Sequence, residues 1–426
     1  MKTLILGAGV SGVTAAKLAA RLGHAVSVYD RSSQATMPLR EQGYVVHSGA
    51  WADRLLKDVD LAVVSPGFPE HSGPVREALV AGIEVISELE FGARQLTVPY
   101  VAVTGTNGKT TVTAAIAEML NASDVSAVAA GNIGLPVCGL EPAPAAVVVL
   151  EASSFQLRFI DGFHPVAAGI TNVAADHLDW HGTVADYAAA KARVFENMTR
   201  EELLAYDIGD VGATELAAQS RCRTLPVSGT AVPPDGVGPD EGTLVINGSR
   251  LPLATTDPSF VADLGIAAAI AGSVGATDEG IAAVLADFTP GAHRRRTVGT
   301  KDGIRWIDDS KATNPHAARA AAAAYENVVL LAGGRNKNLD LSNLAADSVQ
   351  HVVAFGEAAP AVAAGVGVPV TVVATLADAV GAASRVARSG DTVLLAPGCA
   401  SFDEFESYAA RGDRFAELVA EIEARK

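Results

Sequence analysis

Short apolar runs, each closed by a polar or Gly-rich junction and followed by an Ala-rich helical stretch, recur along the chain. Thr3-Leu4-Ile5-Leu6 reads as a first strand, followed by Gly7, Gly9 and Gly12 and a helix from Val13 to about Leu22. A second strand over 25–29 ends in Asp30, and further short strands follow at 44–46, 61–64 and 84–86. The unit closes by about residue 93. That is small for a complete dinucleotide domain, which needs two βαβαβ halves.

The run 101–103 leads through Thr104-Gly105-Thr106-Asn107-Gly108-Lys109-Thr110-Thr111 into a helix over 112–120. A Gly/Pro loop follows at 131–136, then a buried strand over 145–150 that ends in Glu151. The next strand, 166–170, runs into a polar segment containing Asp176-His177-Leu178-Asp179, and 185–195 reads as a helix carrying Lys191. Residues 231–242 read as a Pro/Gly/Asp loop, 243–253 as a hairpin about Asn247-Gly248, and 261–275 and 278–287 as helices. After Thr289-Pro290-Gly291 comes a hairpin turning at Lys301-Asp302-Gly303. Strands at 304–307, 328–332, 352–355, 370–373 and 392–396 then alternate with helices. The pattern predicts an α/β protein of three domains: a Rossmann-like domain over 1–93, a central P-loop domain over 94–290 and a Rossmann-like C-terminal domain over 291–426.

Composition narrows the classes. A chain of 426 residues is too long for one ordinary core. It is 49% hydrophobic but only 5% aromatic, which suits helices packed closely on parallel sheets. A net charge of −16 argues against general nucleic-acid or anionic-membrane binding, though not against anionic small molecules met by local Lys and Arg. No apolar run reaches the ~18 residues that would span a bilayer. The N-terminal run is too short for a signal peptide and goes straight into the Gly motif. The scattered Cys138, Cys222 and Cys399 lack metal-ligand spacing and read as reduced thiols of a cytoplasmic protein. No coiled coil is evident, so a monomer is expected.

The strand–loop–helix at 101–120 is a phosphate cradle: backbone N–H groups and the positive helix end point at one place. Lys109 adds a charge for the outer phosphates and the Thr110 hydroxyl suits Mg²⁺. A strict eight-residue P-loop has Gly where this chain has Val103, so the loop is a shortened variant. Glu151 at a strand end can hold Mg²⁺, or simply open a helix. His177, between two Asp residues beyond a strand, is a candidate ligand. Lys191 alone would be an ordinary surface lysine. Arg294-Arg295-Arg296 reads as a solvated surface or as a phosphate clamp. Gly7, Gly9, Gly12 and Asp30 alone suggest NAD, but the half-sized module fits a nucleotide handle better.

Six segments carry a resemblance: Gly-Thr-Asn-Gly-Lys-Thr-Thr (105–111), Gly-Asn-Ile-Gly-Leu-Pro (131–136), Glu-Ala-Ser-Ser-Phe-Gln-Leu (151–157), Asn-Val-Ala-Ala-Asp-His-Leu-Asp (172–179), Asp-Ser-Lys-Ala-Thr-Asn (309–314) and Gly-Cys-Ala-Ser-Phe-Asp-Glu-Phe (398–405). In this order, over the whole chain, they resemble the Mur ligases, ATP-dependent amide-forming enzymes of peptidoglycan assembly. The 153–157 and 309–314 segments point to the D-glutamate-adding member. The resemblance implies that UDP-N-acetylmuramoyl-L-alanine and D-glutamate are the substrates and that Gly105, Thr106, Asn107, Gly108, Lys109, Thr110 and Thr111 hold ATP. Arg294, Asp309 and Lys311 would reach the ATP from the third domain. Two Mg²⁺ sites are implied, one on Thr110 and Glu151 and one served by His177 and a carbamylated Lys191. Lys109, Glu151, His177 and Lys191 would be the catalytic set. Ser11, Asp30 and Arg31 would hold the uridine end, Asn132 and Ser153 the muramoyl-alanine part, and Thr313, Lys337, Ser401 and Tyr408 the glutamate. One departure stands out: relatives often carry His-Asn-x-x-Asn near the adenine, where this chain has Ser259-Phe260-Val261-Ala262-Asp263.

Overall fold

The computed structural model describes residues 1–422, so residues 423–426 of the expected third domain lie outside the described part. The N-terminal sheet is β1 (Lys2–Leu6), β2 (Ala25–Asp30), β3 (Val45–Ser48), β4 (Leu61–Val64) and β5 (Glu84–Ser87). All pairs are parallel, in the order β3-β2-β1-β4-β5. The strand order reverses between β1 and β4, and ligands of open α/β sheets bind beyond the strand ends there. The Gly-rich turn after β1 sits at that point. A Cβ on Gly12 would lie 1.9 Å from the Gly7 carbonyl, so only glycine lets the following helix approach the strand this closely.

The central sheet is β6 (Tyr100–Thr104), β7 (Ala127–Gly131), β8 (Val147–Glu151), β9 (Ala167–Ile170), β10 (Leu203–Asp207) and β11 (Arg223–Val227), all parallel, in the order β11-β10-β9-β6-β8-β7. Both faces are buried, as parallel sheets require. Val101 and Val103 of β6 face a core with Val112, Ile116, Leu264 and Ile266, whereas Ala102 faces a second core with Val148, Leu150 and Ile170. A small antiparallel sheet joins β12 (Gly238–Asp240), β13 (Thr243–Ile246) and β14 (Ser249–Pro252). The stretch 231–242 is therefore not all loop, as its Pro and Gly suggest: Gly238–Asp240 pairs along β13. The Asn247-Gly248 turn, with φ of 50° and 86°, closes the hairpin as expected.

The N-terminal and central sheets share one compact unit, Met1–Val173 with Ala185–Phe288. Inside it the helix Glu88–Ala93 packs on the turn Val137–Gly139, where the Glu88 carboxylate accepts the Cys138 N–H at 2.6 Å.

The second unit holds Ala174–Val184 and the chain from Thr289 onward. Its sheet is β15 (Arg296–Lys301), β16 (Ile304–Asp308), β17 (Val328–Gly333), β18 (Val349–Phe355), β19 (Val370–Val372) and β20 (Thr392–Gly398), in the order β15-β16-β20-β17-β18-β19. Only β15 runs antiparallel, turning into β16 at Asp302 and Gly303. Val328, Leu330 and Ala332 face one core and Val329 and Leu331 the other, the period-2 alternation of a strand covered on both sides.

Candidate active site

The phosphate loop leaves β6 at Thr104 and enters the helix Lys109–Asn121 through Gly108. Gly105 has φ of 147° and Gly108 of 84°, and a Cβ on Gly105 would lie 1.8 Å from the Thr171 hydroxyl oxygen. The segment after β9 clasps the loop. Asn172 accepts the Thr106 N–H through its carbonyl (2.8 Å) and the Asn107 N–H through its side chain (2.9 Å), while the Thr171 hydroxyl donates to the Asn107 carbonyl. The chain's own hydrogen bonds thus hold the loop in this shape, with the helix N-terminus behind it. Lys109 Nζ donates to the Gly105 and Thr106 carbonyls, both at 3.0 Å.

Glu151 closes β8 beside the loop strand and is 3% exposed. Its Oε1 accepts the Asn132 side-chain N–H at 2.7 Å, and its Oε2 is buried without a hydrogen-bond partner. A buried carboxylate oxygen left bare is costly, and a cation would satisfy it. The residues therefore fit Mg²⁺ at this strand end. Among the described residues no group of three or more His, Cys, Asp or Glu side chains gathers as a metal site.

Lys191 is not an ordinary surface lysine. It is 1% exposed, its Nζ donates to the Gly105 carbonyl at 2.5 Å, and it lies 4.5 Å from the Tyr187 ring centre. Tyr187, which the sequence reading passed over, donates its hydroxyl to the Thr106 hydroxyl at 3.1 Å. Ser153 caps the helix Ser154–Leu157 in a reciprocal arrangement with Gln156. Asp263 also faces the loop: a Cβ on Gly108 would lie 2.4 Å from its carboxylate.

In the N-terminal sheet, Asp30 and Arg31 line a cleft of about 580 Å³ with Gly67, Phe68, Pro69, His71, Ser72 and Gly73. Both Asp30 oxygens accept backbone donors, from Ala8 at 2.9 Å and Ser32 at 2.8 Å. Ser11 lies in the first turn of the helix Val10–Arg21, beside the Gly-rich turn.

The second unit gathers the remaining candidates. His177 sits at φ 52° beside Asp176, which is 5% exposed. Asp176 accepts from Lys337 Nζ at 3.0 Å and from the Asn314 amide at 3.1 Å. Burial works to raise the Asp176 pKa, but the Lys337 charge, then His177 and the hydrogen bonds, outweigh it and leave it lowered. Asp309 is buried, which pushes its pKa to about 6 against the opposing pull of Arg295 and Arg294. The basic triplet is thus not wholly a solvated surface, since Arg295 both donates its N–H to Asp309 (3.3 Å) and places its guanidinium 3.9 Å away. Next to Arg294, His293 pairs with the buried Asp308 at 2.7 Å, a contact with no local signature. Lys311 Nζ lies 5.2 Å from the Tyr408 ring centre. Thr313 follows on the same loop, and Ser401, 2% exposed, lies just past β20.

Family models match along the chain: the MurD-like N-terminal domain of Mur ligases over residues 1–87, the Mur ligase middle domain over 103–231 and the Mur ligase glutamate ligase domain over 293–399. A UDP-N-acetylmuramoylalanine–D-glutamate ligase of Frankia casuarinae is 40% identical over 448 residues, covering 98% of this chain and 94% of the relative. One of Desulfosudis oleivorans is 35% identical, covering 99% and 96%. Among solved structures, MurF from Acinetobacter baumannii shares the fold with a TM-score of 0.62 at 18% identity, covering 86% of this chain and 93% of that one. At this identity and near-complete coverage, the chain belongs to the Mur ligase family.

Proposed function

We propose that this chain is an ATP-dependent ligase that joins D-glutamate to UDP-N-acetylmuramoyl-L-alanine, releasing ADP and phosphate. The observation that carries the reading is the phosphate loop with its Lys109, at the end of the strand that pairs with the strand of the buried Glu151, whose second oxygen has no hydrogen-bond partner. The substrates are those in the names of its relatives. The cleft at Asp30 and Arg31 takes the uridine end in this reading, and Lys337, Thr313, Ser401 and Tyr408 take the glutamate. The roles divide over three domains, 1–93, 94–290 and 291–426.

A carboxylate is a poor acyl donor to an amine. Its oxygen first attacks the γ-phosphorus, breaking the bond to ADP and forming an acyl phosphate. The loop N–H groups and Lys109 hold the phosphates in line and offset their charge. The glutamate amine then attacks the carbonyl carbon, loses a proton, and phosphate departs from the tetrahedral intermediate. Mg²⁺ on Thr110 and Glu151 would supply further neutralisation of the phosphate oxygens.

Lys191 is proposed as the carbamylated lysine. As an ammonium it shares the Gly105 carbonyl with Lys109, which sets two like charges on one oxygen. Loss of a proton from the ammonium, then addition of CO₂ to the free amine with loss of a second proton, turns that repulsion into attraction and supplies oxygen ligands. The test of the whole reading is ADP release measured with ATP, UDP-N-acetylmuramoyl-L-alanine and each glutamate enantiomer, with products read by mass. Release must depend jointly on the sugar nucleotide and D-glutamate; release without either one ends the reading. Lys191→Ala should lose activity and regain part of it with short carboxylic acids, and an unimpaired variant would remove the carbamate.

A further inference from the structure

Arg411 lies in the first turn of the helix Tyr408–Glu421 and is completely buried. Its four hydrogen bonds go to two residues: Nε to the Ser310 hydroxyl (3.0 Å), Nη2 to the Ser310 carbonyl (2.9 Å), and Nη1 and Nη2 to the Cys399 carbonyl (both 3.2 Å). Among the described residues none goes to a carboxylate, and Asp403, Asp308 and Glu404 act on its charge only through space. Burial pulls its pKa down to about 10, so the guanidinium remains charged at neutral pH. A buried cation without a hydrogen-bonded anion is a poor stabiliser. A cation in the first turn of a helix also opposes the helix dipole. Packing alone would be served as well by an apolar side chain.

What the guanidinium does instead is join loops. Ser310 lies beyond β16, between Asp309 and Lys311 and shortly before Thr313. Cys399 lies beyond β20, two residues before Ser401. The Ser310 hydroxyl, while accepting from Arg411, donates to the Tyr408 carbonyl at 2.7 Å. The loop beyond β17, which carries Lys337, is tied in at one remove: Arg335 and Ala400 exchange backbone hydrogen bonds at 2.8 and 3.0 Å. Gly334 leaves room for the guanidinium, since a Cβ there would lie 3.1 Å from Nη1. The planar fork reaches both carbonyls and the hydroxyl at fixed angles, which a lysine ammonium cannot reproduce.

We infer that Arg411 is the positioning residue of the amino-acid site: it touches no substrate, but it sets the two strand-end loops that present Lys311, Thr313 and Ser401 in register with one another. This rests on the reading of that region as the glutamate site.

The test uses full-length Arg411→Lys and Arg411→Met. Each should raise the KM for D-glutamate by about tenfold or more, as expected when supporting contacts of a binding constellation are lost. The KM for the UDP-sugar substrate should stay within about twofold, because Asp30 and Arg31 belong to the other unit. Amide hydrogen exchange, run without substrate, should quicken at 309–313 and 399–402 and not in β17. A folded variant with an unchanged glutamate KM overturns the inference. So do exchange that is unchanged or uniformly faster, a parallel rise in both KM values, and loss of cooperative unfolding in both variants. If the unmodified protein shows no glutamate-dependent ADP release, the ligase reading fails instead, and the exchange arm still decides whether Arg411 sets the loops.

Discussion

The Glu88 carboxyl group shows how far one residue can depart from its solution behaviour. It is 1% exposed and its Oε2 has no hydrogen-bond partner. Burial raises its pKa to about 7 against the opposing hydrogen bonds from Cys138. The folded chain therefore keeps a proton that the unfolded chain loses near pH 4.5. The contribution of this group to stability is fully present below that value and is lost as pH rises through about 7, a change on the order of 3 kcal/mol. Glu88→Gln should flatten the decline: the gap between variant and parent, from thermal or denaturant unfolding, should open in favour of the variant between pH 5 and pH 8. Asp176 has the opposite sign. Its pKa is lowered overall, so what its pairing contributes is present above the unfolded carboxylate range and lost as pH falls through the folded value. Asp176→Ala should destabilise by roughly 2 kcal/mol or more, since it leaves Lys337 and Asn314 without this acceptor; urea unfolding at pH 7 would measure it. Gly105–Thr111 and Glu151 could be read from the sequence because their signal is local. The Asp176–Lys337 pair, 161 residues apart, and the Arg411–Ser310 pair, 101 apart, have no such signal.

Among the elements, the strand–loop–helix at the phosphate site is held from outside by Thr171 and Asn172. Gly105→Ala would push a methyl into the Thr171 hydroxyl at a backbone angle that suits only glycine. We expect affinity for ATP to fall by about tenfold or more, with the UDP-sugar affinity unaltered, as titration calorimetry with each ligand would show. Strands such as β6, β8, β17 and β20 were legible as continuous apolar runs. β7, β10 and β11 were not. β7 is mostly Ala between loops, and β11, an edge strand, begins with the exposed Arg223 and Thr224 and contains Pro226. Edge strands need less apolar surface, so their pattern fades.

Over the whole molecule, the residues lining the cleft at Asp30 and Arg31, proposed for the uridine end, lie in one unit and Lys337 in the other. Lys337→Ala should therefore raise the KM for glutamate by about tenfold or more while leaving UDP-sugar binding unchanged, a split that steady-state kinetics and calorimetry would resolve. Unit membership itself was not legible: Ala174–Val184 is flanked on both sides by chain of the first unit, yet it groups with residues beyond 289. A gene trimmed to begin at residue 289 would consequently encode an incomplete module. Its Lys337 ammonium and Asn314 amide would be made without the carboxylate that receives them here, because that group is translated more than a hundred residues earlier.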